Sequence, residues 1–299
     1  MTEQSIEKPK IKVLWLGRKD SDYNSSSIPS LRTRLAELTE MQCRETFTAP
    51  EDIKCDIVII GPIRADLTKY GALEYWQKNI PRIMLCSDPQ SDLPQHKVWI
   101  ENFHVNLALL TYGDWIKTYK EHLNCEIDWL PWSLENLYTN TYKDIQLAYA
   151  IADGPEYPIR QLMQNDERLW QFSRIMFGIS SHRLSQNDYL KVLNRSKMLA
   201  FDNSIWNFFI LKWLEGFSTK NLVLAPTPLM AEELHLKAYE NYVPISPTDY
   251  YDKIVQYSND NEQRVRITNK GHEMFLQYHT SEVRAKELLE KIQRLLRIA

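Results

Sequence analysis

The sequence predicts an α/β protein made of two open domains in tandem, and three observations support this prediction. Short, continuous apolar runs alternate with segments of helical spacing, which is typical of a parallel sheet covered on both faces. The alternation stops over residues 126–144, where a proline and several turn formers leave no helical period. It then restarts, and 299 residues are enough for two cores of ordinary size.

The first half contains four apolar runs that we predict to be buried strands, at 11–16, 55–63, 82–89 and 105–113. Between and after them, helical spacing predicts helices at 28–41, 69–80 and 114–123. The segment 126–144 is interpreted as the crossing between the two domains.

The second half repeats this plan. Strands are predicted at 145–153, 174–180, 197–203 and 221–226, and helices at 157–169, 185–196 and 206–217. A last amphipathic helix is predicted over 280–298, with one broad apolar face formed by Val283, Leu288, Leu289, Ile292, Leu295 and Leu296. Because parallel α/β domains bind ligands at the carboxyl ends of their strands, the predicted site is the cleft between the domains.

Composition and motifs exclude several classes of protein. A formal net charge of −3 argues against a general surface for binding polyanions. The chain has only eight glycines, and it contains no GxGxxG, no GxxxxGK[ST] and no GxSxG motif, so dinucleotide-dependent hydride transfer is not indicated. We expect no cofactor.

Targeting and redox features point to a cytoplasmic protein. The start of the sequence has no apolar leader, and no apolar run approaches the roughly 18 residues that a membrane span needs. The four cysteines are far apart and form no ligand or CxxC spacing, as expected for reduced thiols; they are Cys43, Cys55, Cys86 and Cys125.

An ordered set of segments in the second half carries a family resemblance. "EIDWLPWSLENLYTNTYKDIQLAYAIAD", "YPIR", "HRLSQNDYLKVLNRSKMLAF", "LKWLEGFSTKNLVLAPTP" and "ITNKGHEMFLQYHTSEVRAKELLEKI" follow one another over roughly 126–296. In this order they resemble the C-terminal domain of GT-B-fold glycosyltransferases, especially the branch with the CgeB-like spore-protein enzymes. The N-terminal half matches only in architecture.

The resemblance implies two Rossmann-like α/β/α domains that face each other across a cleft. Residues 1–130 are then an acceptor-binding domain and residues 131–280 a nucleotide-sugar-binding domain. Residues 281–299 form a helix that packs back on the first domain.

Family members carry two glutamates, of which the second binds the ribose hydroxyls of the nucleotide-sugar. Glu215 occupies that second position, and a ribose diol supplies the donors that a buried carboxylate needs. The first glutamate is replaced by Asn207, which puts the usual sugar contacts at this position in doubt.

The loop 202–206 precedes the helix that carries Glu215. Asn203 or Ser204 is expected to cap this helix, whose free N–H groups then meet a diphosphate. Lys212 replaces an arginine of the family and is expected to neutralise phosphate or to pair with Glu215. The alternative is an ordinary i, i+3 ion pair on a solvated face.

Other positions are weaker donor-binding candidates. Arg160, just beyond the first strand of the second domain, is placed to reach the diphosphate, and Gly178 and Ile179 are placed to accommodate the base. His182 lies near the same edge, and Thr227 begins the loop that follows the last core strand. Each of these residues can also be interpreted as a turn, surface or structural residue without a role in binding.

The reaction implied is transfer of a glycosyl group from a UDP- or GDP-linked sugar to an acceptor hydroxyl, without a metal and with retention. An inverting enzyme would instead need a base, for which Asp88 is the first candidate, with Asp20 and His104 as rivals. A nucleotide-sugar-binding or scaffold protein without catalysis is the alternative from another class. The acceptor is left open between a saccharide, a lipid, a protein and a modified nucleic-acid base.

Overall fold

The structure is a computed structural model that describes residues 10–17, 27–44, 54–61, 80–139, 142–151, 154–178 and 184–298. The chain divides into two compact units. Unit 1 comprises Met1–Pro131 and Arg284–Ala299, and unit 2 comprises Trp132–Val283. Each unit contains a parallel sheet flanked by helices, so the predicted α/β class is confirmed.

Unit 1 is built on a six-stranded sheet in which every neighbouring pair is parallel. In chain order, its strands are β1 Lys12–Leu16, β2 Glu40–Arg44, β3 Ile57–Ile60, β4 Arg82–Cys86, β5 Leu107–Leu110 and β6 Glu126–Trp129. Across the sheet, they lie in the order β2-β1-β3-β4-β5-β6. The three strands β3, β4 and β5 are buried along their whole length, which explains why they are apolar apart from Arg82 at the start of β4.

In the part of unit 1 that the structure describes, three α-helices connect these strands: α1 Ser27–Leu38, α2 Pro89–Asn102 and α3 Ile116–His122. The helices predicted at 28–41 and 114–123 correspond to α1 and α3. The helix predicted at 69–80 lies almost entirely outside the described residues.

Three elements of unit 1 were not predicted from the sequence. The strands β2 and β6 lie at the two edges of the sheet, where polar residues are tolerated, so neither shows an apolar run. Because β6 spans the beginning of 126–144, that segment is not wholly a crossing as predicted. Helix α2 contains Pro94 in its interior, and proline usually argues against a helix.

Unit 2 is built on a five-stranded parallel sheet. In chain order, its strands are β7 Ile145–Ala150, β8 Arg174–Phe177, β9 Ser196–Ala200, β10 Leu222–Ala225 and β11 Val243–Pro244. Across the sheet, they lie in the order β11-β10-β9-β7-β8. The four strands predicted for this half are present, and β11 adds a short edge strand.

Among the described residues, unit 2 contains five α-helices: α4 Pro158–Gln164, α5 Gln186–Arg195, α6 Leu211–Ser218, α7 Tyr250–Asn259 and α8 Asn261–Tyr278. The helix predicted at 206–217 is shorter than expected, because it begins only at Leu211. Helix α6 packs tightly on the sheet at Gly216, where a Cβ atom would lie 2.6 Å from Val223 Cγ2. A glycine is required at this close approach.

The last helix, α9 Ser281–Ile298, covers one face of the sheet of unit 1. Its buried side chains Ala285, Leu288, Ile292 and Leu295 belong to the same apolar cluster as strands β1, β3, β4 and β5. Lys291 also pairs with Asp128 of β6 at 2.5 Å. In the described residues, no helix combines the length and the apolar character that crossing a membrane would require.

The core of unit 1 contains a buried polar pair that makes stability depend on pH. His96 of α2 is 3% exposed, and its Nδ1 lies 2.6 Å from the hydroxyl of Tyr119 on α3. Burial lowers the pKa of His96 from 6.5 to about 4, while the nearby Asp92 acts in the opposite direction. Between about pH 4 and pH 6.5, the folded protein therefore holds this imidazole neutral, whereas an unfolded chain would protonate it.

We predict that His96→Gln removes part of the acid sensitivity of unit 1. The folded pKa of His96 is depressed, so its contribution is complete above pH 6.5 and is lost as the pH falls towards 4. The loss amounts to about 3 kcal/mol in the free energy of unfolding. Urea unfolding from pH 7 to pH 4 should fall more steeply for the wild type than for His96→Gln. If the free energy of unfolding fell equally with pH in the wild type and in His96→Gln, this account would be contradicted.

Candidate functional site

The candidate site of unit 2 lies at the carboxyl ends of strands β7, β8, β9 and β10. Parallel strands end at the same edge of a sheet, so the loops that follow them converge there. Helix α4 follows β7, Gly178 follows β8, Asp202 follows β9 and Thr227 follows β10. The residues Arg160, Lys212 and Glu215 reach this edge from the helices α4 and α6.

Asp202 and Arg160 form a buried ion pair at this edge. Arg160 Nε lies 3.2 Å from Asp202 Oδ1, with the two side chains 9% and 3% exposed, and Arg160 Nη2 donates to the Asp202 carbonyl at 2.8 Å. Asp202 Oδ2 also accepts the backbone N–H of Ile159 at 2.8 Å and of Arg160 at 3.3 Å. The Asp202 carboxylate, which follows β9, thus caps the first turn of α4, whose own N-cap residue makes no side-chain cap.

Glu215 and Lys212 form a second pair, on α6. Lys212 Nζ lies 3.5 Å from Glu215 Oε2, and the side chains are 23% and 13% exposed, so the pair does not lie on a solvated face. Tyr189 of α5 donates its hydroxyl hydrogen to the same Oε2 at 2.5 Å, and Lys212 Nζ lies 3.4 Å from that hydroxyl. The ammonium also lies 4.9 Å from the centre of the Phe177 ring.

The two pairs belong to one electrostatic group. Burial lowers the pKa of Lys212, an effect that Glu215 opposes and Arg160 reinforces. Burial lowers the pKa of Arg160 as well, and Asp202 gives the largest opposing effect, with Glu215 among the smaller ones. Two cations and two carboxylates therefore lie within electrostatic reach of one another at the edge of the sheet. Such a group suits an anionic ligand that also carries hydroxyl groups.

The loop before α6 does not have the role predicted for it. Asn203 and Ser204 do not cap α6, because its N-cap residue is Ile210 and makes no side-chain cap. The physical reason is the backbone of Ser204 and Asn207, whose φ angles of 66° and 55° prevent the helix from starting there. Ser204 instead accepts the backbone N–H of Trp206 at 3.3 Å.

Asn203 and Asn207 hold two loops together. The Asn203 side chain is buried and donates to Asn207 Oδ1 at 3.0 Å and to the Pro226 carbonyl at 2.6 Å, while its own oxygen accepts from Trp213 Nε1 at 2.7 Å. Asn207 Nδ2 donates to the Thr227 carbonyl at 2.6 Å. These contacts give both amides a structural role that the sequence did not indicate.

Of four further predicted residues, the structure describes two, Thr227 and Gly178. Thr227 is exposed, and its hydroxyl lies 2.7 Å from that of Tyr242. Gly178 directly follows β8 with a φ of 127°, and a Cβ atom there would lie 2.6 Å from the Ile151 carbonyl oxygen. Ile179 and His182 lie outside the described residues.

Asp88, the candidate base, lies in unit 1 between β4 and α2. Its backbone is left-handed, with φ 49° and ψ 50°, and its side chain does not cap α2. This conformation is strained for a residue with a side chain, and more so before a proline. Its carbonyl accepts the N–H groups of Ser91 and Asp92. Of its two rivals, His104 also has a positive φ, of 46°, and Asp20 lies outside the described residues.

No metal centre is evident in the part of the chain that the structure describes. Within those residues, no group of three or more histidine, cysteine, aspartate or glutamate side chains is arranged to hold an ion.

Sequence reasoning missed two residues of the site. Asp202 follows a predicted strand, and a carboxylate at the carboxyl end of a strand was a signal that could have identified it. Tyr189 gave no such signal, because it meets Glu215 only through the packing of α5 and α6 at the sheet edge.

The chain is similar to known proteins in sequence over part of its length and in fold over most of it. Residues 168–290 match the model of a family described as glycosyl transferase-like, which covers much of unit 2. No curated protein matches the chain in sequence.

Several solved structures share the fold. HepE from Anabaena, crystallised with UDP and glucose, is 12% identical with a TM-score of 0.65, over 95% of this chain and 100% of that one. Sucrose-phosphate synthase from Thermosynechococcus elongatus is 10% identical with a TM-score of 0.68, over 97% and 100%. TarM is 15% identical with a TM-score of 0.60, over 80% of this chain and 54% of that one, so the chain spans about half the length of TarM. These matches confirm the predicted GT-B fold and the resemblance to glycosyltransferases.

We predict that Gly178→Ala destabilises unit 2, because alanine is strained at a φ of 127° and its Cβ would meet the Ile151 carbonyl. The expected loss is about 2 kcal/mol or more in the free energy of unfolding, measured with urea. Gly154→Ala is the matched control, since a Cβ there would meet only the flexible end of Glu156. Equal losses for the two variants would show that the turn after β8 is not constrained as described.

Proposed function

We propose that this protein is a glycosyltransferase that moves a sugar from a UDP-linked donor to an acceptor hydroxyl. One observation supports the proposal most: the half-buried Glu215 carboxylate lies with two cations, Lys212 and Arg160, at the carboxyl edge of the sheet in unit 2. A ligand that carries both a diol and phosphates fits this combination of charges.

The comparisons support the choice of donor. HepE, which shares the fold over its whole length, was crystallised with UDP and glucose. The family match also covers residues 168–290, which include Glu215 and Lys212. Direct binding of UDP to the purified protein tests this choice of donor.

Glu215 is the residue that we assign to the ribose of the donor. A partly buried carboxylate needs hydrogen-bond donors, and two neighbouring hydroxyls supply them without adding charge. In the described residues, both contacts of the carboxylate are made by Oε2, with Tyr189 and Lys212. Oε1 is the oxygen left for a ligand.

Lys212 is the residue that we assign to the phosphates. Its ammonium is more accessible than the Arg160 guanidinium, since their side chains are 23% and 9% exposed. Arg160 is buried, pairs with Asp202 and contributes through its positive field. Positive charge placed before the reaction stabilises the negative charge that develops on a departing diphosphate.

The reaction that we propose is retaining and independent of a metal. The bond between the sugar and the donor phosphate breaks, and a bond forms between the sugar and the acceptor oxygen on the same face. The acceptor proton passes to the departing phosphate, so no side chain has to act as a base. Lys212 and Arg160 supply the positive charge that the leaving group requires.

An inverting reaction is the alternative in which Asp88 serves as the base. The strained backbone of Asp88 is the observation that favours it, because strain of this kind often occurs at functional positions.

We predict that Asp88→Asn keeps its rate of transfer within a few-fold of the wild type, since a retaining enzyme needs no base there. Steady-state kinetics with UDP-sugar and acceptor measure this. A fall of about 10²–10⁴ in kcat would instead assign Asp88 as the general base of an inverting enzyme.

A nucleotide-sugar-binding protein without catalysis is the other alternative. Asn207 stands where relatives carry a glutamate, and its side chain is hydrogen-bonded to the Asn203 side chain and to the Thr227 carbonyl. Slow hydrolysis of the UDP-sugar by the purified protein distinguishes the two, because it requires turnover. Protection by the donor without any release of sugar would favour the binding protein.

We predict that Glu215→Gln weakens the binding of UDP about 10–100-fold, since charge-assisted hydrogen bonds to the ribose are lost. Isothermal titration calorimetry measures the Kd. The control is Glu273→Gln, which removes the carboxylate of a Lys–Glu pair of the same i, i+3 spacing on an exposed helix face. Unchanged binding by Glu215→Gln would remove this residue from the site.

A further inference from the structure

Tyr189 holds the Glu215 carboxylate from a neighbouring helix. Its hydroxyl lies 2.5 Å from Glu215 Oε2, the same oxygen that Lys212 approaches at 3.5 Å. Burial raises the pKa of the phenol well above 10, and Glu215 adds to this effect, so the hydroxyl keeps its proton and donates it. A donor that keeps its proton is suited to fix one oxygen of a carboxylate.

Tyr189 itself is held in place by its own helix and by its ring contacts. It lies in the first turn of α5, where Ser185 caps the helix by accepting the Asp188 N–H at 3.2 Å and donating to Asp188 Oδ2 at 2.7 Å. Its ring packs against Phe177 with 4.9 Å between centroids, and the Lys212 ammonium lies 5.3 Å from its centre. The hydroxyl is therefore presented from a fixed position.

This arrangement divides the two carboxylate oxygens of Glu215 between two tasks. Oε2 takes both protein contacts recorded for the carboxylate in the described residues, and Oε1 takes neither. If the hydroxyl of Tyr189 were absent, Lys212 would be the one described residue that still holds the carboxylate, and an i, i+3 pair of flexible side chains leaves several rotamers open.

We propose that Tyr189 is a positioning residue that fixes the Glu215 carboxylate so that Oε1 meets the ribose diol of the donor, an assignment that rests on the proposed function. Tyr189 does not contact the donor in this proposal. It acts by holding Glu215 ready before the donor binds, which lowers the entropy lost on binding. It should thereby increase the discrimination between ribose and 2′-deoxyribose.

A competing interpretation is that Tyr189 blocks Glu215 and must move away when the donor binds. The packing argues against it, because such a movement would break the contact with Phe177 and the approach of Lys212 to the ring. The two interpretations predict opposite effects of removing the hydroxyl. Loss of the hydroxyl weakens binding if it positions Glu215 and strengthens binding if it blocks Glu215.

The test compares Tyr189→Phe with Tyr250→Phe by calorimetry, using UDP and 2′-deoxy-UDP as ligands. Both substitutions remove a hydroxyl bonded to a carboxylate in unit 2, since Tyr250 donates to Asp166 Oδ2 at 2.7 Å. For Tyr189→Phe we expect the Kd for UDP to rise roughly tenfold, and the ratio of the two Kd values to fall towards one. Tyr250→Phe should keep the wild-type ratio. This ratio does not depend on the folded fraction, so partial unfolding of a variant does not affect the result.

Each outcome decides the assignment. If Tyr189→Phe has the same Kd for UDP and the same ratio of Kd values as Tyr250→Phe, the positioning role is overturned while the proposed function stays intact. Tighter binding of UDP by Tyr189→Phe would overturn it in favour of the blocking role. A wild-type protein that binds no UDP would overturn the proposed function itself, and with it the role of Tyr189.

Discussion

The Asp202 carboxylate is the constraint on which the site of unit 2 depends. It joins the end of β9 to the start of α4, because one oxygen accepts the N–H groups of Ile159 and Arg160 and the other faces the Arg160 guanidinium. Burial raises the pKa of Asp202, while Arg160 and these N–H groups act in the opposite direction. An unpaired charge in this place would destabilise the fold by about 3–5 kcal/mol, so the pair is kept as a whole.

This pairing determines how the remaining charges can be used. With Arg160 committed to Asp202, the more exposed Lys212 and the carboxylate of Glu215 are the charged groups of the cluster that a ligand can reach more easily. Their shared partner Tyr189 belongs to a third helix, α5. The site is thus assembled from three helices whose positions the sheet edge sets. Rigid elements of this kind hold polar groups more accurately than loops do.

Much of the fold could be predicted from the sequence, whereas the contacts within the site could not. Buried strands such as β3 and β10 are continuous apolar runs, because both of their faces are covered and each position has to be apolar. The start of α6 was misplaced because Ser204 and Asn207 have left-handed backbones, and the contacts of Asn207 with the 226–229 segment are distant in sequence. Glu215 was found by resemblance, while its partner Tyr189 is 26 residues away in sequence and follows no local rule.

The account is tested most directly by a crystal structure of the protein grown with UDP. It predicts that the ribose hydroxyls lie within hydrogen-bonding distance of Glu215 Oε1, and that the diphosphate lies beside the Lys212 ammonium. The account would be contradicted by a nucleotide bound elsewhere, with Glu215 still in contact with Tyr189 and Lys212 alone.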